Sequence, residues 1–505
     1  MLNTVKVSLK DSLIYGLGNI AVKIIGFILI PLYTDPRYFS IDDFGIIAVL
    51  DISGLVLISL MASALPQSFM RWYWDREHIK DQKQIFFMTL SVQVLVSMLF
   101  LVLILPFTAQ ISTIIFGTDK WSFSLKLLVL STALQAINNI INTLMRVQSK
   151  SALYTVANIS KLLTVLSLTL YFIVHKKMGI PGIYLAQLTG NMLFIIFLAG
   201  YAARNCIPSF NLKVLRSMSM FGFPLLLANF AGACFSAIDR YSLNSMALLK
   251  AVALYSLAFK ISSVLRLVIV DSIKMAVSPM IIRKIDDRDN MRFYSKTNLY
   301  SSFVLMFGII AISIFSYEAI KVMSRSTEFW EAFVLVPLLS LSVFFVNMRE
   351  TTGIGLTIKK RTGIIGIIVV FSSIINILLN ILLIPRFNIF GAATAAILTN
   401  ILYWLGCYYF SQKAFFIPYE LSKIMLIFIT GALLSFSGLL LSDMELLPRL
   451  LLKTLILISF PFILYFLKFY EPAELQSIKG FFIKWSNLKN LGNNLRSVKK
   501  IGDDF

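Results

Sequence analysis

The sequence predicts an all-α polytopic membrane protein with about 14 transmembrane helices. Three observations support this fold class. Hydrophobic residues make up 58% of the 505 residues and charged residues only 14%, whereas a soluble protein carries roughly 25% charged residues. The apolar residues occur in blocks of about 20, the length that crosses the hydrocarbon core of a bilayer. The Lys and Arg residues behind the net charge of +21 lie mostly between these blocks, where they set the orientation of membrane helices.

Fourteen apolar segments follow one another along the chain. If the N-terminus is cytoplasmic, the inner connections hold 28 Lys and Arg residues and the outer connections hold 9. This bias predicts that both termini are cytoplasmic and that the protein is a multi-pass protein of the cell (inner, cytoplasmic) membrane. The segments lie at about 12–33, 44–66, 85–106, 122–145, 152–174, 180–203, 218–241, 251–280, 297–317, 332–356, 363–384, 389–410, 422–441 and 448–467.

Motifs of the first half recur in the second half at a nearly constant distance. GIYLAQLTGN (182–191) and GAATAAILTN (391–400) share Gly, Ala and Asn positions 209 residues apart. FGIIAVL (44–50) and VALYSLA (252–258) are 208 residues apart. These matches indicate a repeat of six helices. Because six is even, the two copies have the same orientation and are related by a pseudo-two-fold axis along the membrane normal.

The repeat divides the chain into four predicted parts. They are an N-terminal six-helix lobe (1–210), a C-terminal six-helix lobe (211–415), two additional transmembrane helices (416–468) and a basic cytoplasmic tail (469–505). In the tail, Ile478, Phe481 and Trp485 fall on one face of a helix, which predicts an amphipathic helix lying in the membrane interface. A frayed tail is the alternative, because the pattern drifts after Leu488.

Charged residues inside the apolar segments are the candidate functional residues. Lys23 lies near the middle of the first segment, where a Lys costs about 2.5–3.5 kcal/mol and normally faces a bundle interior or a water-filled cavity. The other cations at depth are Lys161, Arg240, Lys260, Arg266, Lys274 and Arg349, and the acids are Asp51, Asp239, Asp271 and Glu350. This surplus of cations predicts a cavity for an anionic substrate, such as a diphosphate or an anionic glycan. Arg would clamp a phosphate with two hydrogen bonds, and Lys would act as a point charge.

Each of these charges also has a structural interpretation. The eighth segment places Lys260, Arg266, Asp271 and Lys274 within about 140° of one helix face, which is a polar stripe on an apolar helix. Asp239, Arg240 and Lys260 could instead form pairs that tie segments seven and eight together. Lys274 and Arg349 could lie close enough to the cytoplasm to snorkel. The acids could balance neighbouring cations or bind the H⁺ or Na⁺ that drives transport.

Motifs of other function classes are not found in the sequence. There is no GxxxxGK[ST] loop, no GxSxG and no HExxH. The two histidines lie in predicted loops and the three cysteines are scattered, so neither a metal site nor a disulfide framework is expected. The sequence therefore predicts a transporter and not an enzyme, with no cofactor and no metal. Nucleic acid is not expected as a partner, since the basic residues sit in short connections.

Three motifs near the N-terminus resemble those of the Wzx-type polysaccharide biosynthesis proteins. They are YGLGNIAVKIIGFILIPLYT (15–34), DDFGIIAVL (42–50) and ALPQSFMRWYWD (64–75). AIDRYSL (237–243) and VALYSLAFKI (252–261) resemble the start of the second half in the same family. The Wzx-type proteins are flippases of a wider group that also holds MATE exporters and lipid II flippases. The pattern is similar over residues 10–415.

The resemblance implies a two-lobed fold of 12 or 14 helices and transport by alternating access. The implied substrate is an oligosaccharide on a polyprenyl diphosphate, such as a repeat unit of O-antigen lipopolysaccharide or capsule, moved from the cytoplasmic to the outer leaflet. The cavity cations of the family map onto Lys23, Arg240 and Lys260. Implied partners are membrane lipids, the lipid-linked oligosaccharide, and a glycan polymerase or chain-length machinery.

Two other functions remain open from the sequence. A MATE-like ion-coupled exporter of small organic cations would require buried carboxylates without a surplus of Lys and Arg, and usually twelve spans. A membrane-embedded glycan polymerase or ligase would require a large outer loop, whereas the longest predicted outer connection is about 15 residues.

Overall fold

The computed structural model describes residues 27–283, 285, 289–361, 363–472 and 474–476. Within these ranges the chain is helical without any β-strand, and 12 helical segments are long and apolar enough to cross a membrane. One of them, Gly363–Ala414, has 52 residues and is broken at Asn388, so it holds two predicted spans. Every predicted span after the first therefore has a helical counterpart, which confirms the all-α membrane fold. The predicted first span is described only from residue 27, and the predicted tail helix lies outside the described residues.

The first half of the chain contains eight described helices. The segment α7 continues into a π-helical turn at Tyr171–His175. The bounds are α1 Ile30–Tyr33, α2 Ile41–Met61, α3 Leu65–Tyr73, α4 Gln82–Ile104, α5 Thr108–Phe116, α6 Ser122–Val147, α7 Ser151–Leu170 and α8 Ile180–Arg204.

The second half contains ten described helices. A π-helical turn at Arg266–Val270 joins α10 to α11, and a 3₁₀ helix at Thr327–Val334 precedes α14. The bounds are α9 Leu212–Met246, α10 Leu249–Leu265, α11 Asp271–Arg283, α12 Asn290–Ile314, α13 Ser316–Met323, α14 Leu335–Thr352, α15 Ile354–Ile358, α16 Gly363–Ala414, α17 Leu421–Ser437 and α18 Leu446–Phe466.

Local sequence explains where two of these helices begin or bend. Ser40 and Asp43 form a capping box before α2, because each side chain accepts a hydrogen bond from the backbone N–H of the other. Asn388 interrupts α16 with a φ of 49°, a left-handed conformation that Asn tolerates better than most residues. Gly391 follows this break, and a Cβ there would collide with the carbonyl oxygen of Leu383. The break therefore turns α16 into a tightly packed helical hairpin.

The connections alternate between two ends of the bundle. We call the end that holds residues 34–40, 117–121, 247–248 and 315–326 the Asp35 face, and the opposite end, with residues 148–150, 205–211, 359–361 and 415–420, the Lys150 face. One hydrophobic core joins both halves of the chain near the Asp35 face. In that core the rings of Phe44 and Phe329 lie 5.2 Å apart.

The cores nearer the Lys150 face are separate. Phe69, Phe86 and Leu144 belong to one cluster, which includes the first turns of α9. Phe344 and Phe460 belong to another cluster, formed by α12, α14, α17 and α18. In the part of the chain that the structure describes, the core at the Asp35 face joins several helices of both halves, whereas near the Lys150 face the halves meet through the first turns of α9. This packing closes the Asp35 face between the two halves.

A polar contact reinforces the closed Asp35 face. The side chain of Asp35 is only 5% exposed and forms ion pairs with Arg37 at 2.6 Å and with Arg325 at 3.4 Å. The backbone N–H of Arg325 also donates to Thr34 Oγ1 at 3.1 Å. Because residues 34–35 and 325 belong to different halves, these contacts form a latch between them. The hydrogen-bonded guanidinium of Arg37 lowers the pKa of the Asp35 carboxyl from its ordinary value.

The internal repeat is visible in a pair of equivalent hydrogen bonds. In the first half, Asn191 of α8 donates to Ser131 Oγ of α6 at 3.1 Å. In the second half, Asn400 of α16 donates to Ser342 Oγ of α14 at 2.9 Å. Both asparagines were matched by the 209-residue repeat, and both bonds join corresponding helices. The two halves are therefore built on the same helix packing.

Candidate functional site

All but two of the predicted site residues, Asp271 and Lys23, fall into three places. Lys161 stands alone in the first half. Asp51, Asp239, Arg240 and Lys260 lie where α2 of the first half meets α9 and α10 of the second half. Arg266, Lys274, Arg349 and Glu350 line cavities within the second half. Lys23 lies outside the described residues.

Asp51 and Lys260 lie where the two halves of the chain meet. The carboxylate of Asp51 accepts a hydrogen bond from Tyr184 at 3.2 Å and lies within electrostatic range of Lys260 and Arg240. Asp51 is exposed although Leu50 beside it is fully buried, so its carboxylate borders an accessible space. The ammonium group of Lys260 lies 5.2 Å from the centre of the Phe44 ring. A negative and a positive side chain thus face each other across the junction of the halves.

Arg240 is held by the protein framework. It is 7% exposed, donates through Nε to Ser256 Oγ at 3.2 Å, and donates through Nη1 to the carbonyl oxygen of Ser236 at 3.1 Å. Its guanidinium lies 4.4 Å from the centre of the Phe259 ring. These contacts fix its position, so its charge acts on the surroundings from a rigid site.

Asp239 begins a chain of buried polar side chains. Its carboxylate accepts hydrogen bonds from the Tyr255 hydroxyl at 2.6 Å and from the Asn380 amide at 3.0 Å. Asn380 also donates to Asn376, which donates to Thr399 Oγ1. The Oδ1 atom of Asn380 is buried without a hydrogen-bond donor among the described residues. The network therefore gathers a carboxylate, amide oxygens and a hydroxyl at one point between α9 and the two arms of α16.

Two cavities lie side by side in the second half. The outer cavity, of about 380 Å³, is reached from the Lys150 face and contains Lys274 and Glu350. The inner cavity, of about 200 Å³, is lined by α9, α10, α14 and α16 and contains Arg266 and Asp239. Arg349 and Tyr403 line both cavities. This pair therefore forms the partition between them.

Arg349 is the centre of a charged group at the partition. Its guanidinium lies 4.3 Å from the centre of the Tyr403 ring and 3.1 Å from the Glu350 carboxylate. Lys274 forms a second ion pair with Glu350 at 2.7 Å. Two cations share one acid, so this group keeps a net positive charge. Such a site can bind an anion without first breaking all of its internal pairs.

Two predicted residues lie apart from both the cavities and the junction of the halves. Lys161 on α7 places its ammonium group 5.1 Å from the centre of the Phe194 ring on α8, in the first half only. Asp271 is the first residue of α11, directly after the π-helical turn in a continuous helix. Neither residue belongs to the lining of the two cavities.

Sequence reasoning missed a buried charge network and the uncharged cavity residues. Glu318 of α13 pairs with Arg449 and Lys453 of α18, each at 2.7 Å, and Lys453 is fully buried. The signal was present, because Arg449 and Lys453 are four residues apart and therefore share a helix face. Tyr403 and Asn400 were not identified as site residues, since an uncharged side chain in an apolar helix gives little indication of a cavity.

A family model described as "Polysaccharide biosynthesis protein" matches residues 8–285, which is more than half of the chain. The chain belongs to this family. The Wzx-type resemblance found in the sequence is thereby confirmed at the family level. Comparison with curated proteins gave no significant match.

Solved structures of flippases and exporters share this fold. The "Lipid II flippase MurJ, inward closed conformation" is 16% identical, with a TM-score of 0.72 over 90% of this chain and 99% of that chain. An inward-facing MATE multidrug transporter of the MOP superfamily is 13% identical, with a TM-score of 0.63 over 81% and 98% of the two chains. The Vibrio cholerae MATE transporter VcmN in the bent form is 15% identical, with a TM-score of 0.55 over 84% and 98%. These likenesses confirm the two-lobed membrane fold, and the protein is a multi-pass membrane protein of the polysaccharide biosynthesis family.

Proposed function

We propose that the protein is a flippase that moves a polyprenyl-diphosphate-linked oligosaccharide from the cytoplasmic to the outer leaflet by alternating access. The observation that carries this proposal is the surplus of cations around the accessible spaces of the bundle. Arg266, Lys274 and Arg349 outnumber Asp239 and Glu350 around the two cavities. Charged side chains at membrane depth are costly and normally face a transport path. A positive path fits an anionic headgroup, and membership of a polysaccharide biosynthesis family fits a glycan.

Arg240 and Lys260 extend this positive surface to the junction of the halves, opposite Asp51. Lys23 of the first span is assigned to the same surface from its sequence position. In this proposal the diphosphate lies at the junction while the polyprenyl tail stays in the lipid. The oligosaccharide extends into the space enclosed by the bundle.

The proposed cycle uses the two faces of the bundle. The Lys150 face is assigned to the cytoplasm, because its connections carry most of the Lys and Arg residues. Substrate then enters while the Asp35 face is closed by the common core and by the Asp35–Arg325 latch. Release to the outer leaflet requires that these contacts separate. Reporter fusions at both termini test the orientation, and a cytoplasmic signal from both is expected.

The coupling ion is assigned to the Asp239 network. A carboxylate beside amide and hydroxyl oxygens can hold a proton or a sodium ion, and the unpaired Asn380 Oδ1 supplies a free acceptor. Asp239→Asn is expected to abolish dependence of transport on the ion gradient while the protein still inserts in the membrane. Unchanged gradient dependence in this variant would contradict the assignment.

The decisive experiment is mass spectrometry of polyprenyl-diphosphate lipids in cells with and without the protein. A complete lipid-linked saccharide unit is expected to accumulate in the deletion strain and to disappear on complementation. Expression of the Arg349→Ala variant in the deletion strain is expected to leave the lipid-linked unit accumulated. Expression of the control variant Lys120→Ala, changed on an exposed loop of the Asp35 face, is expected to remove the accumulation. An unchanged lipid pool would refute the flippase proposal.

The competing function is ion-coupled export of small organic cations. It would be supported if the deletion strain kept its lipid pool and became sensitive to cationic dyes. The positive cavities disfavour it, since they repel such substrates. A glycan polymerase or chain-length protein is proposed as a partner, and co-purification of the tagged full chain from native membranes tests this.

A further inference from the structure

The Lys150 face of the first half carries exposed basic side chains that the protein does not pair. They are Arg71, Arg76, Lys80, Lys83, Arg146, Lys150, Arg204, Lys213 and Arg216. Among the residues that the structure describes, none forms an ion pair with any of them. Asp75, Glu77 and Asp81 are the acids on the same connections, and they are too few to balance this charge. Lys and Arg in connections orient membrane helices, and exposed cations without partners also attract anions.

Helix α3 divides its side chains between the bundle and the outside. Leu65, Phe69 and Tyr73 are buried in the cluster that also holds the first turns of α9. The opposite face, spaced by three or four residues, consists of Gln67, Met70, Arg71 and Trp74. Met70 is 41% exposed and Trp74 is 60% exposed. Exposed apolar and aromatic side chains beside cations, at the end of a membrane bundle, are typical of a helix that lies in the membrane interface.

The protein holds Arg71 and Trp74 in place without covering them. The guanidinium of Arg71 lies 4.4 Å from the centre of the Phe221 ring of α9, and its N–H groups form no hydrogen bond with the residues that the structure describes. The indole Nε1 of Trp74 donates to the carbonyl oxygen of Val147 at 3.2 Å. This bond places the exposed indole beside the turn between α6 and α7. Both side chains are therefore fixed in orientation and open to a ligand.

The connections near α3 add further exposed apolar side chains. Ile79 is 51% exposed, Phe210 is 52% exposed and Leu212 is 73% exposed. Large apolar side chains on a surface that is also basic suit the boundary between lipid headgroups and acyl chains. An acidic segment of a protein would match the charge but would leave this apolar area uncovered. The occupant that fits both properties is a lipid with a negative headgroup.

The α3 surface is our name for the outward face of α3 and the exposed cations of the adjoining turn, namely Gln67, Met70, Arg71, Trp74, Arg146 and Lys150. We propose that the α3 surface binds the headgroup of an anionic phospholipid, whose phosphate pairs with the guanidinium of Arg71. A guanidinium can donate two parallel hydrogen bonds to a phosphate, and Trp74 provides the aromatic ring that favours the headgroup level. The proposal does not depend on the flippase function.

Quenching of tryptophan fluorescence by brominated lipids tests this site. The full chain is reconstituted into phosphatidylcholine vesicles that contain either phosphatidylglycerol or phosphatidylcholine brominated near the glycerol end of an acyl chain. The emission of Trp74 is obtained as the difference between the unmodified protein and Trp74→Phe. Phosphatidylglycerol is expected to quench Trp74 at a mole fraction about fivefold lower than phosphatidylcholine does, since a Lys or Arg at the surface favours an anionic lipid by about that factor.

Substitutions of the cations show whether the preference belongs to the α3 surface. The double variant Arg71→Gln/Lys150→Gln is expected to remove the preference and to leave quenching by phosphatidylcholine unchanged. Arg71→Lys, which keeps the charge but loses the planar fork, is expected to retain part of the preference. Lys413→Gln is the matched control, because Lys413 is an exposed cation at the Lys150 face of the second half. It is expected to keep the full preference.

Three results would overturn the proposal. The first is equal quenching of Trp74 by the two lipids in the unmodified protein. The second is a preference for phosphatidylglycerol that persists in the double variant, since the lipid would then be bound by other groups. The third is quenching of Trp74 by neither lipid, which would place the α3 surface outside the bilayer and leave it to an acidic segment of a protein.

Discussion

The buried network around Glu318 allows the cost of one substitution to be worked out from the structure. Lys453 is 0% exposed, Arg449 is 9% exposed and Glu318 is 16% exposed, and both cations lie 2.7 Å from the same carboxylate. Glu318→Gln keeps the shape of the side chain but leaves two buried cations without a counter-ion. Removing one partner of a buried ion pair costs about 3–5 kcal/mol. We therefore expect the free energy of unfolding to fall by about that amount.

The assay is equilibrium unfolding of the purified full chain in detergent micelles by increasing SDS, followed by tryptophan fluorescence. Glu331→Gln is the matched control, because Glu331 is 69% exposed and lies 3.8 Å from Lys250. An exposed pair of this kind contributes about 0–1 kcal/mol. Lys453→Met should cost less than Glu318→Gln, since it leaves one cation for one acid. A loss for Glu318→Gln as small as that for the control would refute the reasoning.

Four further outcomes are expected from the described contacts. Arg325→Ala should weaken closure of the Asp35 face by about 1 kcal/mol or less, seen as a larger population of long distances between spin labels on the two halves. The pKa of Asp35 is lowered from its ordinary 3.8, so closure should be independent of pH above about 4 and weaken only as pH falls through the lowered pKa; a transition near pH 6 would contradict this. Asn191→Ala and Asn400→Ala should each reduce the free energy of unfolding by about 1–3 kcal/mol, in the same SDS assay, because each serine loses a buried partner. Arg349→Lys keeps the charge but loses the planar stacking group, so surface-glycan export should fall although the protein remains in the membrane.

The membrane spans could be predicted from the sequence because each is a local property. Twenty apolar residues in a row have few alternatives to a membrane helix, and the predicted limits agree with the structure at segments such as Ser122–Val147 and Ile180–Arg204. The predicted ends of the spans were less accurate than their positions along the chain. The second span was predicted to reach residue 66 but ends at Met61, and a short helix, Leu65–Tyr73, follows it. That boundary depends on how the chain turns at the membrane surface, which hydropathy does not report.

The sequence identified the charged residues inside the membrane spans, but it did not show which of them lie together in the structure. Helix periodicity placed Arg266 and Lys274 on one stripe, yet the structure puts them in different cavities, because the π-helical turn and the partition at Arg349 lie between. Arg349 and Tyr403 are 54 residues apart, and only tertiary packing brings them to 4.3 Å. A single sequence contains no signal for such a pair.

The repeat explains why the two cavities are found in one half. The repeat distance of 209 residues places Arg349 where the first half has Ile140. Ile140 is fully buried in an apolar cluster, so in the first half the position serves packing. Arg349 instead stacks on Tyr403 and borders two cavities. The shared helix packing thus supports the fold in both halves, while the exchange of a buried isoleucine for an arginine gives the second half a positive cavity wall. Substrate binding in this protein is therefore expected where the two halves differ.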